Sequence, residues 1–133
     1  MWQAMEFGTP GSLRYRVVYL DKQGRAMSPW HSIPLHSGAS MYNFLCTSPR
    51  GTWARLEAAD DEDFNPLRIC KIGGKPAHFA ENCKWNYGML PQTWADSALN
   101  NADYGGIPYD GKRRCRVMNI WWAPMTIYTF THV

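Results

Sequence analysis

None of the four cysteines stands in a Cys-x-x-Cys pair. Cys46, Cys70, Cys83 and Cys115 are too widely spaced for a zinc ribbon or a thioredoxin-type redox motif. The spacing is also unlike that of a small secreted disulfide scaffold. It predicts free thiols in a reducing intracellular compartment, either the cytoplasm or an organelle interior (plastid or mitochondrion). No apolar run reaches the roughly 18 residues that a membrane-crossing helix needs. The opening Met1-Trp2-Gln3-Ala4-Met5-Glu6-Phe7 has neither the apolar core of a secretory signal nor an Arg/Ser-rich transit pattern. No phosphate loop of the Gly-x-x-x-x-Gly-Lys-Ser/Thr type occurs, and Gly73-Gly74-Lys75-Pro76 reads as a turn. A helical bundle is excluded as well, because nine Pro and eleven Gly cut the 133 residues into short pieces. The net charge of +3 is no more than solubility requires.

What is abundant is aromatic: 14% of the chain is Phe, Trp or Tyr. Residues 14–20, Arg-Tyr-Arg-Val-Val-Tyr-Leu, predict a strand, and Asp21 to Gly24 a turn. Arg25 to Ile33 then returns as a partner arm, kept to an edge by Pro29 and Pro34. Residues 41–48 predict another strand, stopped at Pro49-Arg50-Gly51. In residues 53–58, Trp53, Arg55 and Glu57 share one side and Ala54, Leu56 and Ala58 the other, so a short strand with a polar face is expected. Arg55 and Glu57, two apart, are placed to pair. Asp60-Asp61-Glu62-Asp63 reads as a solvated loop, since it lacks the alternation and glycine of a calcium loop. Leu67 to Cys70 and residues 125–131 are further strand candidates. His31 and His36, beside prolines, read as structural. The stretch Trp85-Asn86-Tyr87-Gly88-Met89-Leu90-Pro91-Gln92-Thr93-Trp94 is too aromatic for a linker and too broken for a helix; it is expected to be an irregular buried segment. Five to seven short strands make the chain mainly β, a barrel or sandwich.

Several of these segments together resemble another group of proteins. Ser28-Pro29-Trp30-His31-Ser32-Ile33-Pro34-Leu35, then Ser48-Pro49-Arg50, Arg55-Leu56-Glu57, and Trp85 to Trp94 resemble, in order and spacing, the eukaryotic-type family I soluble inorganic pyrophosphatases. The resemblance covers about residues 13–96 and implies an incomplete five-stranded OB-like β-barrel with irregular aromatic segments and a C-terminal extension. It also implies chemistry in which carboxylates hold magnesium ions, a metal-bound water attacks phosphorus, and Lys, Arg and Tyr grip the phosphates.

Carried over residue by residue, the site is depleted. Thr47 stands where the family has Glu. Arg55 replaces a Lys, Glu57 and Tyr87 are retained, and a phosphate-binding Arg falls near His78. Ala95 stands in an acidic place, with Asp96 next to it. Of the family's Gly-Asp-x-Asp-Pro-x-Asp string, at most Asp110 survives. Lys112, Arg113, Arg114 and Arg116 follow it, and no Asp or Glu occurs after Asp110. Arg55, Glu57 and Tyr87 are therefore expected as vestigial catalytic residues, Glu57 and Asp110 as vestigial metal ligands, and Arg55, His78 and Tyr87 as phosphate-binding candidates. On this basis we divide the chain into a truncated barrel domain, residues 1–116, and an apolar aromatic tail, residues 117–133.

Three functions follow from this pattern. The first is a catalytically inactive module docked on protein subunits of a larger assembly, with peripheral contact with a membrane complex included. Its interface candidates are Lys112, Arg113, Arg114, Arg116, Trp121, Trp122, Met125, Tyr128 and Phe130, and it needs no cofactor. The second is a Mg2+-dependent diphosphatase completed by a partner chain. The third, a phosphate or nucleic-acid binding module, rests on Lys112, Arg113, Arg114 and Arg116 together with Arg55, Tyr87 and Lys84, and a nucleic-acid partner is the least expected.

Overall fold

The computed structural model describes residues 2–38, 41–93, 117–120 and 127–131. Every regular element among them is a β-strand, and the sheets do not close into a barrel. The first sheet runs in the order Gln3–Phe7 (β1), Arg16–Leu20 (β2), Leu67–Ile69 (β7) and Leu56–Ala58 (β6), with Ala26–Met27 (β3) also pairing with β2. The second runs Val117–Ile120 (β11), Asn86–Met89 (β10), Met41–Ser48 (β5) and Ile127–Thr131 (β12), with His36–Gly38 (β4) pairing with β5. Lys71–Ile72 (β8) and Lys75–Pro76 (β9) form a separate hairpin around Gly73 and Gly74. All of these pairings are antiparallel.

Alternation sets the faces. In β2, Val17 and Tyr19 are buried while Arg16, Val18 and Leu20 are partly exposed; in β7, Leu67 and Ile69 are buried and Arg68 lies on the opposite face. The inward side chains join Tyr15, Met27, Trp30, Ile33, Leu45, Leu56 and Met89 in one core, so both sheets contribute. Fully burying an aliphatic side chain such as Val17, Ile33, Leu45 or Leu67 is worth about 1.5–3 kcal/mol. Through Arg68 and its cross-strand neighbour Glu57, the reverse face of the first sheet carries charge.

Several expectations change here. The return arm Arg25–Ile33 shrinks to β3, because Pro29, Trp30 and Ile33 leave the ladder to enter the core. The segment 53–58 is a strand only from Leu56; Ala54 makes an isolated bridge with His78. Part of the aromatic stretch, expected to be irregular, is β10, a strand with neighbours on both sides. Its break is a register shift between Tyr87 and Gly88, not a loss of strand. In the tail, the strand expected within 125–131 is Ile127–Thr131, paired with β5, and Val117–Ile120, not expected as a strand, pairs with β10.

Candidate phosphate site

Glu57 lies on β6 of the first sheet, Tyr87 on β10 of the second and Arg55 just ahead of β6, and hydrogen bonds bring Arg55 and Tyr87 to one seam. The Arg55 amide donates to the Ala77 carbonyl at 3.2 Å, and its own carbonyl accepts from the Cys70 amide at 2.8 Å. At the end of β5, the Ser48 hydroxyl accepts from the Leu56 amide at 3.0 Å and ties the two sheets together. Next to it, the Thr47 hydroxyl donates to the Tyr87 carbonyl at 3.3 Å. The Arg55 guanidinium thus lies over the Tyr87 ring, 6.0 Å from its centroid, at the outer limit of a cation–π contact. Phe79 meets the same ring edge-on at 6.1 Å. None of the described carboxylates forms an ion pair with Arg55.

Glu57 is committed elsewhere. It does not pair with Arg55, two residues before it and just outside its strand. Instead it accepts from Arg68 Nε at 3.2 Å, directly across the β6–β7 ladder. Arg68 also reaches Asp60 at 3.6 Å, Glu62 at 3.3 Å and Asp61. Glu62 in turn receives Arg16 through two bonds of 2.7 Å, a bidentate fork. The acidic run is therefore a loop, as expected, but not a merely solvated one: its carboxylates hold two arginines of the first sheet.

The charges respond accordingly. The hydrogen bond from Arg16 holds the Glu62 carboxyl below the usual range, with Arg68 adding to the effect. Asp61 is lowered by its own amide and then by Arg68. Burial works against charge on Arg68, but hydrogen bonds to Glu57 and Asp61 outweigh it and raise its pKa. Burial pushes the Cys70 thiol up to about 12, and nearby Glu57 adds to the shift. Cys46 is also pushed up to about 12 by burial.

Of the predicted phosphate-binding residues, Arg55 and Tyr87 meet and His78 does not join them. His78 stacks on Trp53, with ring centroids 3.9 Å apart and planes 17° apart. Its neighbour Phe79 faces Tyr87 instead, since successive residues of an extended segment point to opposite sides. Asp96, Asp110, Lys112, Arg113, Arg114, Arg116, Trp121, Trp122 and Met125 lie outside the described residues. Tyr128 and Phe130 are on β12, opposite Phe44 and Tyr42 in register. Among the described residues, no three His, Cys, Asp or Glu side chains come together to hold a metal ion. Sequence reasoning missed Arg68, Phe79 and Arg16. Arg68 alone carried a signal, as a lone charge between buried Leu67 and Ile69.

No family model matches the chain, but individual proteins do. Soluble inorganic pyrophosphatase 6, chloroplastic, of Arabidopsis thaliana is 42% identical over 104 residues, 78% of this chain and 35% of that protein. The inorganic pyrophosphatase of Homo sapiens is 32% identical over 105 residues, 75% of this chain and 36% of that protein. The chain belongs to the soluble inorganic pyrophosphatases. Among solved pyrophosphatases, that of Schistosoma japonicum superposes with a TM-score of 0.76 at 26% identity, covering 96% of this chain and 47% of that one. An N-terminally truncated vacuolar soluble pyrophosphatase of Trypanosoma cruzi, in complex with PPi, gives 0.75 at 31% identity, covering 99% and 54%. The chain spans about a third of the length of these curated pyrophosphatases.

The strings by which the chain resembles pyrophosphatases meet in space. Trp30 Nε1 donates to the Thr93 carbonyl at 3.2 Å, and the Gln92 amide donates to the Trp30 carbonyl at 2.8 Å. The Gln92 side chain donates to the His31 carbonyl at 3.0 Å and accepts from the Leu35 amide at 3.3 Å. Gln92 does this from a left-handed backbone, φ 55°. His31 stacks on Trp30 and sits 2.9 Å from Asn65 Oδ1 and 3.0 Å from Ser28 Oγ, which is the structural role expected of it. These pyrophosphatase strings therefore act as a brace that fixes the approach to β10 and Tyr87.

Proposed function

We propose that this chain binds inorganic diphosphate on the Arg55–Tyr87 wall and takes part in its hydrolysis. The observation that carries the reading is the Arg55 guanidinium, without a carboxylate partner among the described residues, poised over Tyr87. A guanidinium fork and a phenol are suited to phosphate oxygens. The names of the curated relatives supply the activity. Magnesium, implied by the family, would supply charge neutralisation and an acidic water when bound. The described residues do not assemble a set that fits it. Glu57 alone matches the family's metal-site acids there, and it is held by Arg68. Hydrolysis on this reading draws its carboxylates from beyond the described residues, from Asp110 or from a partner chain.

A second reading keeps the fold and drops the chemistry, leaving an interaction subunit of a larger assembly. It is favoured by Thr47, which stands in a Glu place with its hydroxyl spent on the Tyr87 carbonyl, and by Lys112 to Arg116 where the Asp string would fall. Calorimetric titration with diphosphate and a phosphate-release assay with Mg2+ separate the two. Binding and release are expected, each falling about tenfold or more in Arg55→Met, the loss of one charge-assisted contact. Binding without release would favour the second reading. Neither binding nor release would refute the first.

A further inference from the structure

We infer that the Arg55–Tyr87 wall takes diphosphate without a divalent cation, because Arg68 already holds Glu57, the one described residue that matches the family's metal-site acids. The inference rests on the diphosphate reading above and adds a charge mechanism to it. Glu57, Asp60, Asp61 and Glu62 all reach one guanidinium. The carboxylates are spread over the three nitrogens of that guanidinium, and among the described residues they do not converge on a metal-holding cluster. Arg68 stays charged at every accessible pH, since a guanidinium does not deprotonate in proteins. It is also anchored where it stands. Its strand pairs with β6 on one side and β2 on the other, and its side chain is only 13% exposed. A divalent ion at Glu57 would lie against this fixed positive charge and would have to break its contacts.

Charge then divides across the seam. On one side, carboxylates and Arg68 satisfy one another. On the other, Arg55 keeps its charge uncompensated by any described carboxylate. A diphosphate anion can meet that charge directly, with no metal bridging it to Glu57. This departs from what the family resemblance implies for Glu57, and the departure is traceable to one residue, Arg68.

The test uses the full chain and two readouts. Diphosphate titrated calorimetrically in EDTA is expected to bind saturably, and excess Mg2+ is expected to tighten it by less than about tenfold. Mg2+ alone is expected to leave the melting temperature of the unaltered chain unchanged and to raise that of Arg68→Met, in which Arg68 no longer holds Glu57 and Asp61. Diphosphate binding that appears only with Mg2+, or a Mg2+-stabilised unaltered chain, would overturn the inference while leaving the diphosphate reading intact. An Arg68→Met protein that folds but ignores Mg2+ would overturn the role given to Arg68. If that variant does not fold, the two measurements on the unaltered chain still decide. Diphosphate bound under neither condition would overturn the underlying reading.

Discussion

Gly88→Ala tests the packing that places Tyr87. At Gly88, β10 crosses β5 so closely that an added Cβ would fall inside the envelope of the Leu45 carbonyl oxygen. It would also lie 2.7 Å from Phe44 Cζ and 2.9 Å from Cys46 Cα. Two of these three atoms are backbone, so rotating a side chain cannot relieve the clash. The strands must move apart or the register must slip, in the ladder that already shifts between Tyr87 and Gly88. Overpacking a tight site costs about 1–3 kcal/mol, and a backbone clash belongs at the upper end, about 3 kcal/mol. Unfolding entropy near 2.1 cal/mol/K per residue then puts the loss in melting temperature at about 10 °C for 133 residues.

Gly24→Ala is the matched control. Gly24 has φ +76° but nothing within 4 Å of an added Cβ. Only the backbone conformation is penalised there, by about 1 kcal/mol, or roughly 4 °C. Circular dichroism melts and urea unfolding of both variants give the comparison, with unchanged urea slopes showing that only the folded state is perturbed. If Gly88→Ala is no less stable than Gly24→Ala, the close crossing of β5 and β10 is wrong, and with it the placement of Tyr87 beside Arg55.

Two further outcomes follow from the charged and buried groups. The Glu62 carboxyl is depressed below its ordinary 4.5 by Arg16, so its contribution is fully present above that value and is lost as pH falls through the lower, folded value. The urea midpoint of the chain should fall on acidification in that window, and Glu62→Gln should start lower at neutral pH and fall less; an identical acid slope in the variant would refute the Arg16–Glu62 linkage. Cys46 and Cys70, raised to about 12, should resist iodoacetamide in the folded chain at mildly alkaline pH and react in urea. Peptide mass spectrometry reads each thiol separately, and labelling of either at its unfolded rate would show that the site is not closed.

How far the sequence was legible depended on how local the cause was. β5 was read at its full length, because a β-rich run ends at a proline that cannot continue the ladder. β1 was not read: all five of its residues are exposed, so no burial pattern marks them, and it exists through pairing with β2. β10 was misread because Gly88 and Pro91 look like breakers, whereas Gly88 serves close packing. At the site, Arg55 and Tyr87 were legible through the resemblance. Arg68 was not, since its meaning depends on a cross-strand pair with Glu57, eleven residues earlier, and on a loop shared with Arg16, 46 residues from Glu62. Alternation distinguishes His78 from Phe79, but only once the segment is known to be extended.

The two sides of the seam are held by different forces, and this separates binding from hydrolysis. Arg55 and Tyr87 are positioned by backbone hydrogen bonds between Arg55, Ala77 and Cys70 and by Thr47 and Ser48 at the end of β5. Those bonds join uncharged backbone and hydroxyl groups and survive any change of side-chain charge elsewhere. The carboxylates are positioned by side-chain ion pairs, whose partner is set by whichever cation the chain places opposite them. A Glu in the place of Thr47 would add acid to the seam. Thr47 instead secures the Tyr87 carbonyl, so its substitution strengthens the first side while depleting the second. Arg68 does the same to Glu57, turning a carboxylate toward a strand arginine. A pyrophosphatase fold can thus keep the Arg55–Tyr87 wall with few demands on the rest of the site. Turnover makes far greater demands, because it needs several acids left uncommitted at once, and among the described residues none of the site's acids is.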